Sequence, residues 1–412
     1  MVLSPNAGPI APEERIATLD ILRGFALLGI LIINTQGFKA PSAGWRLDGP
    51  RFPGPLDRLV DWAVDAFGSG KFNAIFSFLF GVGLTIQVER AEARGASFVR
   101  PYLRRLAVLL ALGLAHGLLL WDGDVLHVYA VLGLALVPLR RVPDRVLFAL
   151  VVALLLVPVG LAAYRAQHPG PPEHPQSYWQ AKAAEQVETF GRGSYPAMVR
   201  ARLAAHRKAY VEDGWGYQFF GQMGVTMLLG FVAGRRRIFQ DLPEHLPLVR
   251  RVFRFALPAG LVCALAYASA VALGGDDDEP TAAGVLVAVA YELNRPLLSL
   301  AYIAGLTLLS VDPAWRSRLG PLASVGRMPL TNYLMQSVIV TTIFYGYGLG
   351  WFGRVGPALA LAIDLPIYAA QVAYSHWWMA RFRFGPLEWL WRAATYGRWP
   401  ELRPRRAPDA LP

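Results

Sequence analysis

The sequence predicts an all-α protein, a polytopic membrane bundle of about ten transmembrane helices with both termini cytoplasmic. Three observations carry that prediction. Hydrophobic residues make up 54% of the 412 and charged residues only 17%, too little charge for a soluble chain of this size. Apolar runs long enough to cross a hydrocarbon core recur along the whole chain. Arginines gather in every second loop between those runs, which is the mark of cytoplasmic loops. The net charge of +11 therefore speaks for membrane topology and against a nucleic-acid partner.

Taken in order, the runs are 19–37, 71–89, 104–121, 125–140, 145–164, 216–234, 252–273, 282–309, 329–349 and 356–379. The segment Met1–Arg15 is rich in Pro and Ala, with no basic flank or small-residue cleavage site, so the first run reads as a retained helix. The fourth run is short and leans on the third across the turn Asp122-Gly123-Asp124. Arg90 to Arg105 follow the second run, Arg140, Arg141 and Arg145 the fourth, Arg235 to Arg254 the sixth, and Arg316, Arg318 and Arg327 the eighth. All fall on one side if the N-terminus is cytoplasmic. The opposite loops carry Asp122, Asp124 and the acidic stretch Asp276–Glu279. Cys263 is the lone cysteine and sits in an apolar run, so no intrachain disulfide forms.

The expected organisation is a cytoplasmic segment 1–17, a five-helix half 18–164, an external polar hairpin 165–215, a second five-helix half 216–380 and a cytoplasmic tail 381–412. Within the first external loop, Asp57, Asp61 and Asp65 recur every fourth residue beside Leu59, Val60, Trp62 and Phe67, which predicts an interfacial amphipathic helix. The hairpin, opened by Pro169, Pro171, Pro172 and Pro175, is either a cap over the outer face or a spacer. No Walker loop, dinucleotide glycine fingerprint or Cys/His metal spacing occurs, and no metal is expected.

Ionisable groups inside a membrane are costly and mark function by default. Arg23 and Asn34 fall on one face of the first helix, about 16 Å apart along the axis, in line to border a cleft. Snorkelling and helix packing are the structural alternatives. His116, Asp122, Asp124 and His127 gather around the turn after the third run. Two imidazoles beside carboxylates suit a general base with an orienting acid, or a proton relay, although Asp124 also suits a plain N-cap. Glu292 and Arg295 stand i,i+3 in the eighth run, and Pro296 beside them predicts either a broken span or a start of the span near Leu297. Lys71, one of four lysines, opens the second span, with an anion-facing role expected. Asp364 precedes a kink at Pro366, and Gln218 and Gln222 share a face of the sixth span. Gly326-Arg327-Met328-Pro329 leads into Thr331, Asn332 and Gln336, where Arg327 could meet a phosphate at a helix start.

Several of these stretches resemble the YeiB-like family of uncharacterised bacterial membrane proteins, also described as domain of unknown function 418. The similar pieces are Leu19–Asn34, Lys71–Gly83, Gly123–Gly133, Gly326–Ser337 and Gly385–Arg392, in order and spanning almost the whole chain. The resemblance implies a multi-pass protein of the bacterial inner (plasma) membrane. More distantly, the first helix is similar to that of transmembrane acyltransferases, which take an acyl group from cytoplasmic acyl-CoA to an acceptor on the outer face. Their motif commonly pairs an arginine with a histidine at the separation of Arg23 and Asn34. One branch has asparagine there and its histidine further on, where this chain has Trp45.

Two functions are therefore expected to compete. In the first, Arg23 and Arg327 hold acyl-CoA as co-substrate, Asn34 polarises the acyl carbonyl, and His127 with Asp124 deprotonates a small-molecule, lipid or glycan acceptor, with His116 as the other candidate base. Lys71, Asp122, Glu292, Arg295 and Asn332 complete the candidate binding residues. In the second, Glu292, Arg295, Asp364 and the histidines form a proton-coupled transport site.

Overall fold

The computed structural model describes residues 16–47, 51–95, 97–168, 174–275 and 281–403. Fifteen helices follow in chain order: α1 (Ala17–Lys39), α2 (Pro55–Phe67), α3 (Lys71–Ala93), α4 (Val99–Leu119), α5 (Leu126–Leu139), α6 (Asp144–Gln167), α7 (Gln176–Gly191), α8 (Tyr195–Arg207), α9 (Gln218–Arg235), α10 (Leu242–Ala272), α11 (Ala282–Val311), α12 (Pro313–Gly326), α13 (Pro329–Phe344), α14 (Pro357–Met379) and α15 (Pro386–Tyr396). Each of the ten apolar runs is a helix, and the fold is an all-α transmembrane bundle. The acidic stretch Asp276–Glu279, the segment Met1–Arg15 and the prolines 169–172 lie outside the described residues.

Fewer helices than expected are able to span by themselves. Six helical stretches among the described residues are long and apolar enough, and a seventh if α11 and α12, bent by 119°, act as one span. The runs at 125–140, 216–234 and 329–349 become helices of 14, 18 and 16 residues. The first and third are too short. The second carries Gln218 and Gln222, which lower its hydropathy.

A second correction concerns Pro296. α11 runs unbroken through it. Side chains solvate the carbonyls of the surrounding turns: Asn294 donates to Ala290 O (2.9 Å) and Tyr291 O (3.0 Å), and Ser299 donates to Arg295 O (2.6 Å). The real break comes later, at Asp312-Pro313, where Asp312 ends α11 and its carboxylate accepts from Ala314 N (2.9 Å) and Trp315 N (3.2 Å) to cap α12.

Close helix approach fixes the bundle. A Cβ on Gly230 of α9 would run into the Phe78 carbonyl of α3, and one on Gly81 of α3 into the Met227 carbonyl of α9. The two backbones touch where small residues allow it, the usual way membrane helices associate.

The connections sort to two ends. At the arginine-rich end, Arg237 pairs with Glu89 (2.8 Å), Arg236 with Asp144 (3.0 Å), and Arg235 donates to Val142 O (2.6 Å), tying the ends of α3, α6 and α9. At the other end, Gly353 N donates to Lys39 O (2.7 Å), Tyr195 hydroxyl to Leu119 O (2.9 Å), and Asp57 accepts from Ala358 N (3.0 Å) to cap α14. The α7–α8 hairpin packs over this second end against α4. The predicted helix at Asp57–Asp65 forms as α2: Leu56, Leu59 and Phe67 are exposed, while Asp57 and Asp65 accept hydrogen bonds from Ala358 N and Ser69 Oγ.

Candidate functional site

Under the hairpin, where α4 turns into α5, Asp124 is fully buried between two imidazoles. Its Oδ1 lies 2.9 Å from His116 Nδ1, and its Oδ2 lies 2.9 Å from His127 Nδ1. The same Oδ2 accepts the His127 backbone N–H at 3.0 Å, which caps the first turn of α5. Each imidazole then reaches a hydroxyl. His116 Nε2 is 2.8 Å from Ser337 Oγ on α13, and His127 Nε2 is 2.9 Å from the Tyr210 hydroxyl. The result is one continuous chain, Ser337–His116–Asp124–His127–Tyr210.

Local sequence explains how the chain is held. A Cβ at Gly113 would strike the His127 backbone nitrogen and crowd Asp124, so only glycine lets α4 approach the turn this closely. Tyr210 sits in a π-helical turn, Lys208–Glu212, directly after α8. Single π-turns are frequent at functional sites. Tyr333 on α13 packs its ring 5.1 Å from that of His116, and His206 lies 6.4 Å from His127. Burial alone would raise the Asp124 carboxyl, but hydrogen bonds from both histidines hold it below its ordinary value.

With Nδ1 of each imidazole against a carboxylate oxygen, both rings present Nε2 to a hydroxyl. That is the connectivity of an oriented general base, once toward the membrane interior and once toward the cap. Among the described residues, no set of three His, Cys, Asp or Glu side chains is arranged to hold a metal ion.

The other predicted site residues do not join this chain. Lys71, Glu292 and Arg295 form a second cluster near the start of α3. Lys71 donates to Asp65 O (2.7 Å), Ser299 links α11 to Lys71 O (2.9 Å), and Arg295 pairs with Glu292 while lying 4.0 Å over the Tyr291 ring. The predicted ion pair thus forms, and Lys71 is turned to a backbone carbonyl. A third group lies at the hairpin end of α1: Thr35 donates to Asp364 Oδ1 (2.7 Å), and Asp364 Oδ2 is buried with no hydrogen-bond partner. Asn34, one residue earlier, is also buried. None of these hydrogen bonds and ion pairs among the described residues links the three groups, and they stand as separate clusters.

At the arginine-rich end, Arg23 pairs with Asp20 (2.7 Å), and Gly326, next to Arg327, lies against the Asp20 backbone, which puts Arg23 and Arg327 at one corner. The start of α13 is not open to a phosphate, however. Glu388 of α15 occupies it, accepting from Leu330 N (2.6 Å), Thr331 N (3.1 Å) and Thr331 Oγ1 (2.6 Å). Glu388→Ala should orphan these donors and cost roughly 1–3 kcal/mol or more, read as a lower Tm in detergent. Asn332 serves packing, donating to Val325 O (3.2 Å) and Ser375 Oγ (3.0 Å). Asp122 is exposed at its turn. The backbone of Trp45 lies in a 3₁₀ turn, Ser42–Arg46, while its side chain lies outside the described ones.

Sequence reasoning missed Ser337 and Tyr210. Ser337 closes one of the stretches singled out, but nothing marks it among the other hydroxyls of α13. Tyr210 stands in the polar segment between two apolar runs, with no pattern to point at it.

A family model described as protein of unknown function (DUF418) matches residues 233–398. The uncharacterized protein YxaH of Bacillus subtilis is 33% identical over 409 residues, covering 95% of this chain and 96% of that one. The uncharacterized protein YeiB of Escherichia coli is 30% identical over 394 residues, covering 93% and 96%. This chain belongs to the DUF418 family. A third relative, an uncharacterized 39.9 kDa protein encoded in the amylase 3' region of Bacillus acidopullulyticus, is 30% identical with 95% and 96% covered. The DUF418 match begins at the end of α9 and contains Ser337, Asp364 and Glu388, but not Asp124, His116, His127 or Tyr210. The chain of polar contacts therefore crosses the boundary of the DUF418 match, joining residues before it to Ser337 within it.

Proposed function

We propose that the protein transfers an acyl group from acyl-CoA at the arginine-rich face to a hydroxyl or amine of an acceptor at the hairpin face. The observation that carries this reading is the Asp124–His127 contact, which fixes the imidazole with Nε2 toward the hairpin. His127 Nε2 takes the acceptor proton as the new acyl bond forms. The thioester C–S bond breaks, and the CoA thiolate leaves and is protonated. Arg23 and Arg327 are suited to the phosphates of the donor at their common corner. The acceptor enters where the Tyr210 hydroxyl now meets His127.

Purified protein in detergent is expected to show a thermal shift with acetyl- or longer acyl-CoA and to release free CoA thiol when an acceptor is supplied. His127→Ala should lower that rate by about 10²–10⁴-fold while leaving the protein monodisperse. An undiminished rate in this variant would remove His127 from the mechanism.

A second reading, proton-coupled transport, draws on a different observation: the partnerless Asp364 Oδ2 beside Thr35, inside a span. Substrate-driven acidification in proteoliposomes, lost in Asp364→Asn, together with no shift by any CoA thioester, would favour transport over acyl transfer.

A further inference from the structure

At the arginine-rich end, a cavity of about 460 Å³ lies between α4, α13 and α15. Its inner wall is apolar, formed by Val108 and Leu112 of α4, Leu334 of α13, and Leu387 and Trp391 of α15. The rim is different. Arg398 lines it and is exposed, and Trp399 beside it is 66% exposed and packs against Trp389 at 4.5 Å between ring centres, tilted by 37°. Arg104 reaches the same edge, donating to Ala394 O at 3.2 Å next to Gly397. Arg105 lies 4.2 Å over the Trp391 ring. Among the described residues, no acidic side chain lines the cavity.

Each feature narrows the occupant. The inner wall offers no donor or acceptor, because its backbone groups are used within the helices, so a peptide would bury unpaired amides there. A free soluble anion would use the rim and leave the apolar wall unfilled. A hydrocarbon tail with an anionic head satisfies both parts, and the paired tryptophans stand where aromatic rings settle at a membrane surface. Basic pockets between helices at such a surface bind anionic lipid head groups.

We propose that this cavity is a binding site for an anionic phospholipid of the adjacent leaflet. One acyl chain lies along Leu112 and Leu334, and the phosphate meets the guanidinium groups of Arg398 and Arg104. The proposal stands apart from the acyl-transfer reading. Because α15 also carries Glu388, the lipid would help seat the helix that caps α13.

The test is lipid retention. Protein reconstituted in nanodiscs of phosphatidylcholine with a minor share of phosphatidylglycerol is released into detergent, and retained lipids are counted by native mass spectrometry. Wild type is expected to retain phosphatidylglycerol in preference. Arg398→Gln and Arg104→Gln, both exposed positions, should each reduce that preference about fivefold. Ala394→Trp, which fills the cavity, should abolish retention without changing the Tm measured in phosphatidylcholine alone. Excess glycerol phosphate should leave the lipid in place. Equal retention of both lipids by wild type, or retention unchanged by all three variants, would overturn the proposal. Displacement by glycerol phosphate would reduce the site to a head-group anion site and overturn the acyl-chain assignment.

Discussion

Replacing Asp124 with alanine is expected to lower stability by about 3–5 kcal/mol, because three buried donors lose their acceptor together. Those donors are His116 Nδ1, His127 Nδ1 and the His127 backbone N–H. None has a route to water, since the His116 and His127 side chains are only 1% and 9% exposed. Thermal unfolding in detergent measures the effect, and a Tm equal to wild type would mean that the carboxylate does not hold the turn. Asp124→Asn should cost less, as the amide keeps one acceptor. The sign of the pH dependence follows from the same contacts. A carboxyl held below its ordinary value contributes stability above that value, and the contribution is lost as pH falls through the folded pKa. The Asp124→Asn variant should therefore show a smaller loss of Tm on acidification than wild type.

The second large effect is expected at the α3–α9 contact. Gly230→Leu would force a branched side chain into the Phe78 carbonyl, and overpacking of this kind costs about 1–3 kcal/mol, more where backbone faces backbone. The variant should insert poorly or elute as aggregate on size exclusion. Gly83 on α3 supplies the contrast, because nothing lies within 4 Å of a Cβ placed there. Gly83→Ala should be neutral or slightly stabilising, given the better helix propensity of alanine. Equal behaviour of the two variants would show that close approach does not decide this packing.

Helices were legible because each apolar run is a local property of the chain. Their number as spans was less so: Thr331, Asn332 and Gln336 face partners that only the bundle provides. Asn332 and Gln336 meet Ser375 and Gln371 of α14, for example. α12 went unrecognised, although Asp312-Pro313 is a stop followed by a start. Pro296 misled in the opposite direction as a sign of a broken span, since α11 runs through it from Ala282 to Val311. In the site, the Asp124–His127 pair was readable at i,i+3 spacing. The hydroxyls were not. Ser337 stands 221 residues from His116, and Tyr210 stands 83 from His127. No local pattern reaches across such separations.

The Glu388 cap has a bearing on biogenesis. The amides that open α13 receive their acceptor from a helix made some sixty positions later, since Leu330 and Glu388 are 58 residues apart. While the ribosome is still translating α14, those amides have only water or lipid head groups to satisfy them. α13 can therefore enter the bilayer early but settle only once the last helix has emerged and swung beneath it. A chain cut short before Pro386 would keep every apolar run and still leave this joint open, making it a natural point for quality-control proteases to distinguish finished from unfinished protein.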